Sequence, residues 1–115
     1  PIKNIKSILF IFDFFKSIDI NSGLEQYRNT DGAVLVDVRT EEEYAEGHIP
    51  GAINIDVLRE DFLSRATSML PLHHTIALYC ASGKRSRKAA RMLAKKGYHV
   101  VELKSGYKGW MKANR

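Results

Sequence analysis

A chain of 115 residues fits one domain, large enough to build a core without metal or disulfide support. Hydrophobic residues at 44% and charged residues at 27% exclude a disordered chain, and no apolar run reaches the roughly 20 residues that a membrane helix requires. The net charge of +5 is spread along the sequence without aromatic interleaving, so no nucleic-acid partner is expected.

Ile2, Ile5, Leu9 and Phe12 recur at helical spacing and predict an amphipathic helix over Ile2–Phe15, an extension (residues 1–15) ahead of a domain spanning residues 16–115. Packing on its own domain is the favoured role, with docking to a partner or a membrane surface as the alternative. Lys3 and Lys6 before this apolar run give it some likeness to a signal peptide, yet no small-residue cleavage site follows and Asp13 interrupts it, so a cytoplasmic location is expected. Lys16–Ile20 reads as a short strand, followed by a helix to about Asn29 that Asn21 or Ser22 caps. Asp31-Gly32 marks a turn.

Ala33–Asp37 is a continuous apolar run ending in a carboxylate, as in a strand buried on both faces of a parallel sheet. Thr40 and Glu43 make a capping box that starts a short helix over Glu41–Glu46, with Gly47 closing it. Ile49-Pro50-Gly51 is turn chemistry, and a short strand over Ala52–Ile55 follows. Asp56 is expected to cap a helix whose apolar face is Leu58, Phe62, Ala66 and Met69, ended by Pro71. Thr75–Tyr79 is the second fully apolar strand. Arg87–Lys96 is helical, with Ser86 as N-cap, Ala90, Leu93 and Ala94 facing inward and Gly97 at the C-terminal cap. Tyr98–Leu103 is the last strand, and Tyr107–Ala113 a closing helix that buries Trp110. Strands alternating with helices predict an α/β fold, a mostly parallel central sheet of about five strands with helices on both faces.

The chemistry gathers in one stretch, Cys80-Ala81-Ser82-Gly83-Lys84-Arg85-Ser86-Arg87, between an apolar strand and a helix. A strand feeding a tight loop and a helix N-terminus turns free backbone N–H groups toward whatever the loop holds. Cationic neighbours and a helix N-terminus are also the surroundings that favour a thiolate, the nucleophilic form of cysteine. Gly83 lets the loop curl into an anion-binding nest, and Lys84 and Arg85 supply full charges for an anionic substrate. Cys80 is the single cysteine, so it cannot be a structural staple within the chain. The loop also follows the C-terminal end of a strand, where open α/β sheets bind their ligands.

This stretch resembles the active-site loop of the rhodanese family of sulfurtransferases. Asp37-Val38-Arg39, Glu43-Tyr44, Gly47-His48-Ile49-Pro50-Gly51-Ala52 and Gly106-Tyr107-Lys108-Gly109-Trp110 match the family's pattern in the family's order, covering about Lys16 to Trp110. Ser105 departs from it, where many members carry the first of two adjacent glycines. The resemblance implies the rhodanese-like three-layer fold and a ping-pong sulfurtransferase. Cys80 would take a sulfane sulfur from thiosulfate or another small anionic donor, hold it as a persulfide, and pass it to cyanide, a low-molecular-weight thiol or an acceptor protein. Amides from Ala81 to Ser86 would stabilise the persulfide anion, with Lys84 and Arg85 on the donor's sulfonate end. Ser82 and Ser86 are placed to donate hydroxyl hydrogen bonds to sulfur, Ser86 equally to serve only as a cap. Asp37, Arg39 and Glu43 resemble supporting positions, and a structural ion-pair and hydrogen-bond set is the favoured reading for them.

No cofactor beyond the covalent intermediate is expected, and no metal. His73 and His74 lack companions at ligand spacing, and His48, in the turn motif, is read as structural. Three rivals stand beside the main reading. A phosphatase or arsenate reductase on this fold places arginine one position later than Arg85, on a larger loop. A non-catalytic docking module needs neither Cys80 nor its cations. A redox sensor lacks a second cysteine to resolve a sulfenic acid within the chain.

Overall fold

The protein's structure, a computed structural model, describes residues 15–115. The expected helix over Ile2–Phe15 lies outside the described residues except for Phe15, which is half-buried against the core. Along the chain run β1 (Lys16–Asp19), α1 (Ile20–Arg28), β2 (Val34–Asp37), α2 (Glu41–Glu46), β3 (Ile53–Asn54), α3 (Phe62–Met69), β4 (Thr75–Tyr79), α4 (Lys84–Lys95), β5 (His99–Lys104) and α5 (Gly106–Ala113). The five strands form one sheet in the order β1-β5-β4-β2-β3, and every neighbouring pair is parallel. Parallel neighbours need crossover connections, and helices packed over those crossovers bury both faces of the sheet.

Side-chain alternation along β4 divides the core in two. Ile76, Leu78 and then Cys80 face Phe62 and Ala66 of α3 and Ala90 and Leu93 of α4. Ala77 and Tyr79 face the other layer, with Ile20 and Leu24 of α1 and Tyr107 and Trp110 of α5. Each fully buried Leu or Ile here contributes about 1.5–3 kcal/mol over an exposed one, which is why the short strands hold without long ladders. The register sets Asp37 beside Tyr79 and Leu78 beside Glu102, so the carboxyl ends of β2, β4 and β5 are level and Cys80 emerges between its neighbours.

The strands and the Thr40–Glu43 capping box stand close to where the sequence puts them, and Glu43 N donates to Thr40 Oγ1 at 3.2 Å while Thr40 N donates to Glu43 Oε1 at 3.0 Å. Helix starts differ. Asp19, not Asn21 or Ser22, caps α1, its Oδ2 accepting from Asn21 N at 3.0 Å, because the helix leaves β1 without a linker. α3 begins at Phe62. Asp56 instead closes a turn through Leu58 N at 2.8 Å, and Leu58 (60% exposed) and Met69 (48%) lie off the buried face made by Phe62, Ala66 and Leu70. α4 begins at Lys84, so Ser86 sits inside its first turn and is not the N-cap. Trp110 is half-buried, stacked on Tyr107 at 5.7 Å between ring centroids. Among the described residues no helix is long and apolar enough to cross a membrane.

Candidate active site

Only four residues, 80–83, join the end of β4 to the start of α4. Gly83 takes φ of 124°, a conformation that L side chains resist, and as the N-cap residue it carries no side chain to cap the helix. The turn brings Gly83 N–H to 3.0 Å from Cys80 Sγ. The first intrahelical bond runs from Arg87 N to Gly83 O at 3.1 Å. The N–H groups of Lys84, Arg85 and Ser86 precede it, so they and the positive end of the α4 dipole face the loop.

The loop is held from behind by the start of α5. Tyr107 N donates to Cys80 O at 2.8 Å and Lys108 N to Ala81 O at 3.0 Å. Gly106 makes this approach possible: a Cβ there would collide with Cys80 O and lie 2.8 Å from Ala81 O. The departure at Ser105 is absorbed in place, since Ser105 adopts the left-handed conformation (φ 72°) that a glycine takes without strain.

The sequence-derived candidates separate into three groups. Cys80, Gly83 and Ser86 meet directly: Sγ donates to Ser86 Oγ at 3.4 Å, and all three residues are buried. Arg85 and Glu43, 42 positions apart, meet at the rim in a two-pronged pair, Nη1 to Oε1 at 2.7 Å and Nη2 to Oε2 at 3.0 Å. The Arg85 guanidinium, then burial working against it and Thr40's hydrogen bonds, leave the Glu43 carboxyl at about 2. Lys84 and Ser82 are exposed, Ala81 is half-buried, and the Ser82 hydroxyl has no hydrogen bond to Sγ. Asp37 and Arg39 form the third group, a buried pair at 2.7 Å behind β2. Asp37 also accepts from Tyr79 Oη at 2.8 Å, and Arg39 donates to Gly47 O at 2.7 Å and lies 4.1 Å over the Tyr107 ring. None of these bonds reaches residues 80–86, so the pair steadies the layer on which the loop rests. His48 stacks on Tyr44 with ring centroids 3.7 Å apart, and His74 Nδ1 lies 2.6 Å from Gly32 O. Among the described residues no cluster of His, Cys, Asp and Glu is placed to hold a metal ion.

The profile of the rhodanese-like domain family matches residues 21–113. The chain belongs to the rhodanese-like domain family. It is similar to a sulfurtransferase of Allochromatium vinosum, 33% identical over 81% of this chain and 85% of that protein. A probable molybdopterin-synthase adenylyltransferase of Porphyra purpurea is 35% identical over 96% of this chain, which spans 29% of that protein's length. Among solved structures, a rhodanese-like domain protein from Staphylococcus aureus has a TM-score of 0.73 at 29% identity, covering 84% of this chain and 91% of that one.

One residue of this rhodanese-like domain escaped the sequence reading. Glu102 is fully buried beneath the loop, with Oε2 2.6 Å from Ser86 Oγ and Oε1 2.5 Å from Ser17 Oγ. The legible signal was a carboxylate inside the apolar run Val100–Leu103 of a central strand.

Proposed function

We propose that this rhodanese-like domain is a sulfurtransferase that carries a sulfane sulfur on Cys80. The observation that supports it most is the 3.0 Å bond from Gly83 N–H to Cys80 Sγ, at the mouth of a helix whose next three amides are unspent. Backbone N–H groups aimed at a sulfur stabilise negative charge there as an oxyanion hole does for oxygen, and Gly83 supplies the first of them. In the first half-reaction the Cys80 thiolate attacks the outer sulfur of thiosulfate, the S–S bond breaks, and sulfite leaves with its electron pair. The persulfide anion remains. In the second, cyanide or a thiolate attacks the terminal sulfur, and the Cys80 thiolate leaves. Lys84 stands exposed at the rim for the donor's sulfonate, while Arg85 reaches it only from beside Glu43. No cofactor is called for.

A four-residue loop fits one sulfur better than a tetrahedral phosphate, which disfavours the phosphatase and arsenate reductase readings. The docking-module reading draws on a different observation, that Cys80 is 1% exposed, as an inert buried cysteine would be. Thiocyanate formation from thiosulfate and cyanide decides between them. Turnover that vanishes in Cys80→Ser, with Cys80 gaining one sulfur by mass after thiosulfate alone, is expected. A protein that neither turns over nor gains sulfur from any sulfane donor is a docking module.

A further inference from the structure

The sulfur-transfer steps leave one buried titratable group unused. Glu102 shares the inward face of β5 with Val100, opposite Leu78 of β4 and Ser17 of β1. Packing alone would favour an apolar side chain there, and a buried carboxylate is ordinarily paired with a cation. Glu102 has two hydroxyls instead, Ser17 and Ser86. The charged groups that face it are Arg87 of α4, whose Nη1 borders the same Gly83 position, and Asp19 and Lys104 at the strand ends, on this face by alternation. Among the described residues none of them makes an ion pair with it.

Ser86 Oγ lies between two titratable groups, 3.4 Å from Cys80 Sγ and 2.6 Å from Glu102 Oε2. A hydroxyl carries one proton, so with Sγ–H donating to it, Ser86 donates onward to the carboxylate. Its other acceptor, Gly83 O, is farther at 3.0 Å. We propose that Glu102 takes the Cys80 proton through Ser86, so that the thiol ionises without adding net charge to a buried site. The step balances: Sγ–H passes its proton to Ser86 Oγ, Ser86 passes its own to Glu102 Oε2, and the products are thiolate, unchanged serine and neutral carboxylic acid. Protonated Glu102 donates back to Ser86, whose hydroxyl then donates to the sulfur anion. Glu102 acts through Ser86 and never meets substrate, so it positions a proton rather than reacting.

The inference deepens the sulfurtransferase reading, but its test needs no sulfur donor. Cys80 is the single thiol, so alkylation by iodoacetamide reports on it alone. Glu102→Gln removes the proton acceptor and keeps a hydrogen-bonding partner for Ser86. Well below the alkylation midpoint, where only the relay supplies thiolate, alkylation is expected to become about a hundredfold slower. In Ser86→Ala, where the relay is already broken, the same Gln substitution should change that low-pH rate far less. A low-pH rate that is unchanged or faster in folded Glu102→Gln overturns the proposal, because a faster one marks only the loss of a repelling charge. If that variant does not fold, carbon NMR of the Glu102 carboxyl in the unsubstituted protein and in Cys80→Ala gives the same reading. A titration that shifts when the thiol is removed supports the relay, and one that stays fixed overturns it. Absent thiocyanate turnover and absent sulfur gain from any sulfane donor, with low-pH alkylation still slowed by Glu102→Gln, would sink the sulfurtransferase reading and leave the relay standing.

Discussion

Gly106 sets how near α5 stands to the Cys80 loop. Its φ of 53° is left-handed, and a Cβ would meet the backbone of Cys80 and Ala81, which cannot swing aside as a side chain does. Gly51 also has a positive φ, 90°, yet a Cβ there would meet only Tyr27 Oη, at 3.6 Å. The two glycines therefore separate conformational strain from steric clash. Gly51→Ala should lower stability by about 1 kcal/mol, and Gly106→Ala by about 3 kcal/mol, since the loop or the helix must move. Denaturant midpoints at constant m-value measure both. Equal losses would mean that the Tyr107 and Lys108 amides do not fix the loop as closely as their 2.8 and 3.0 Å bonds indicate.

At the scale of elements, the Arg85–Glu43 pair joins the first turn of α4 to the first turn of α2, and Glu43 serves the Thr40 capping box with the same carboxylate. Because its folded value, about 2, lies below the ordinary 4.5, the pair's stabilisation is complete above pH 4.5 and is lost as pH falls toward 2. Both side chains are partly exposed, so solvent screening holds the expected effect of Glu43→Gln to about 1 kcal/mol near neutrality. Denaturation of both proteins across pH 2–6 should show two curves that converge at the acid end. A gap as wide at pH 2 as at pH 6 would assign the loss to packing.

The same pair shows where sequence reading stops. Glu43 was legible as a cap because its partner Thr40 is three residues away, and Cys80 because strand, glycine and cations are contiguous. That Glu43 holds Arg85, or that Glu102 lies under Ser86, depends on strand order, which no local window contains. The start of α3 was misread for a related reason. Asp56 and Leu58 extend the helical spacing backward through a turn, and spacing alone cannot tell a turn from a helix.

Over the whole molecule, the net charge of +5 has a direction. Lys84, Lys88, Arg91 and Lys95 are exposed along α4 at intervals of three and four residues, a single stripe that begins at the Cys80 loop, and Arg87 is exposed beside it. Among the described residues none of the five makes an ion pair. Such a stripe raises the local concentration of a dianion such as thiosulfate and leaves a neutral reagent unaffected. Sulfur loading of Cys80 by thiosulfate, followed by mass in single turnover, should slow several-fold between low salt and about 0.15 M, where the screening length falls to about 8 Å. Lys88→Glu with Arg91→Glu should flatten that dependence, because neither side chain touches the loop and only the field changes. Alkylation by neutral iodoacetamide is the internal control. If both reagents show the same salt slope, α4 carries an ordinary solvated face and the loop alone gathers its substrate.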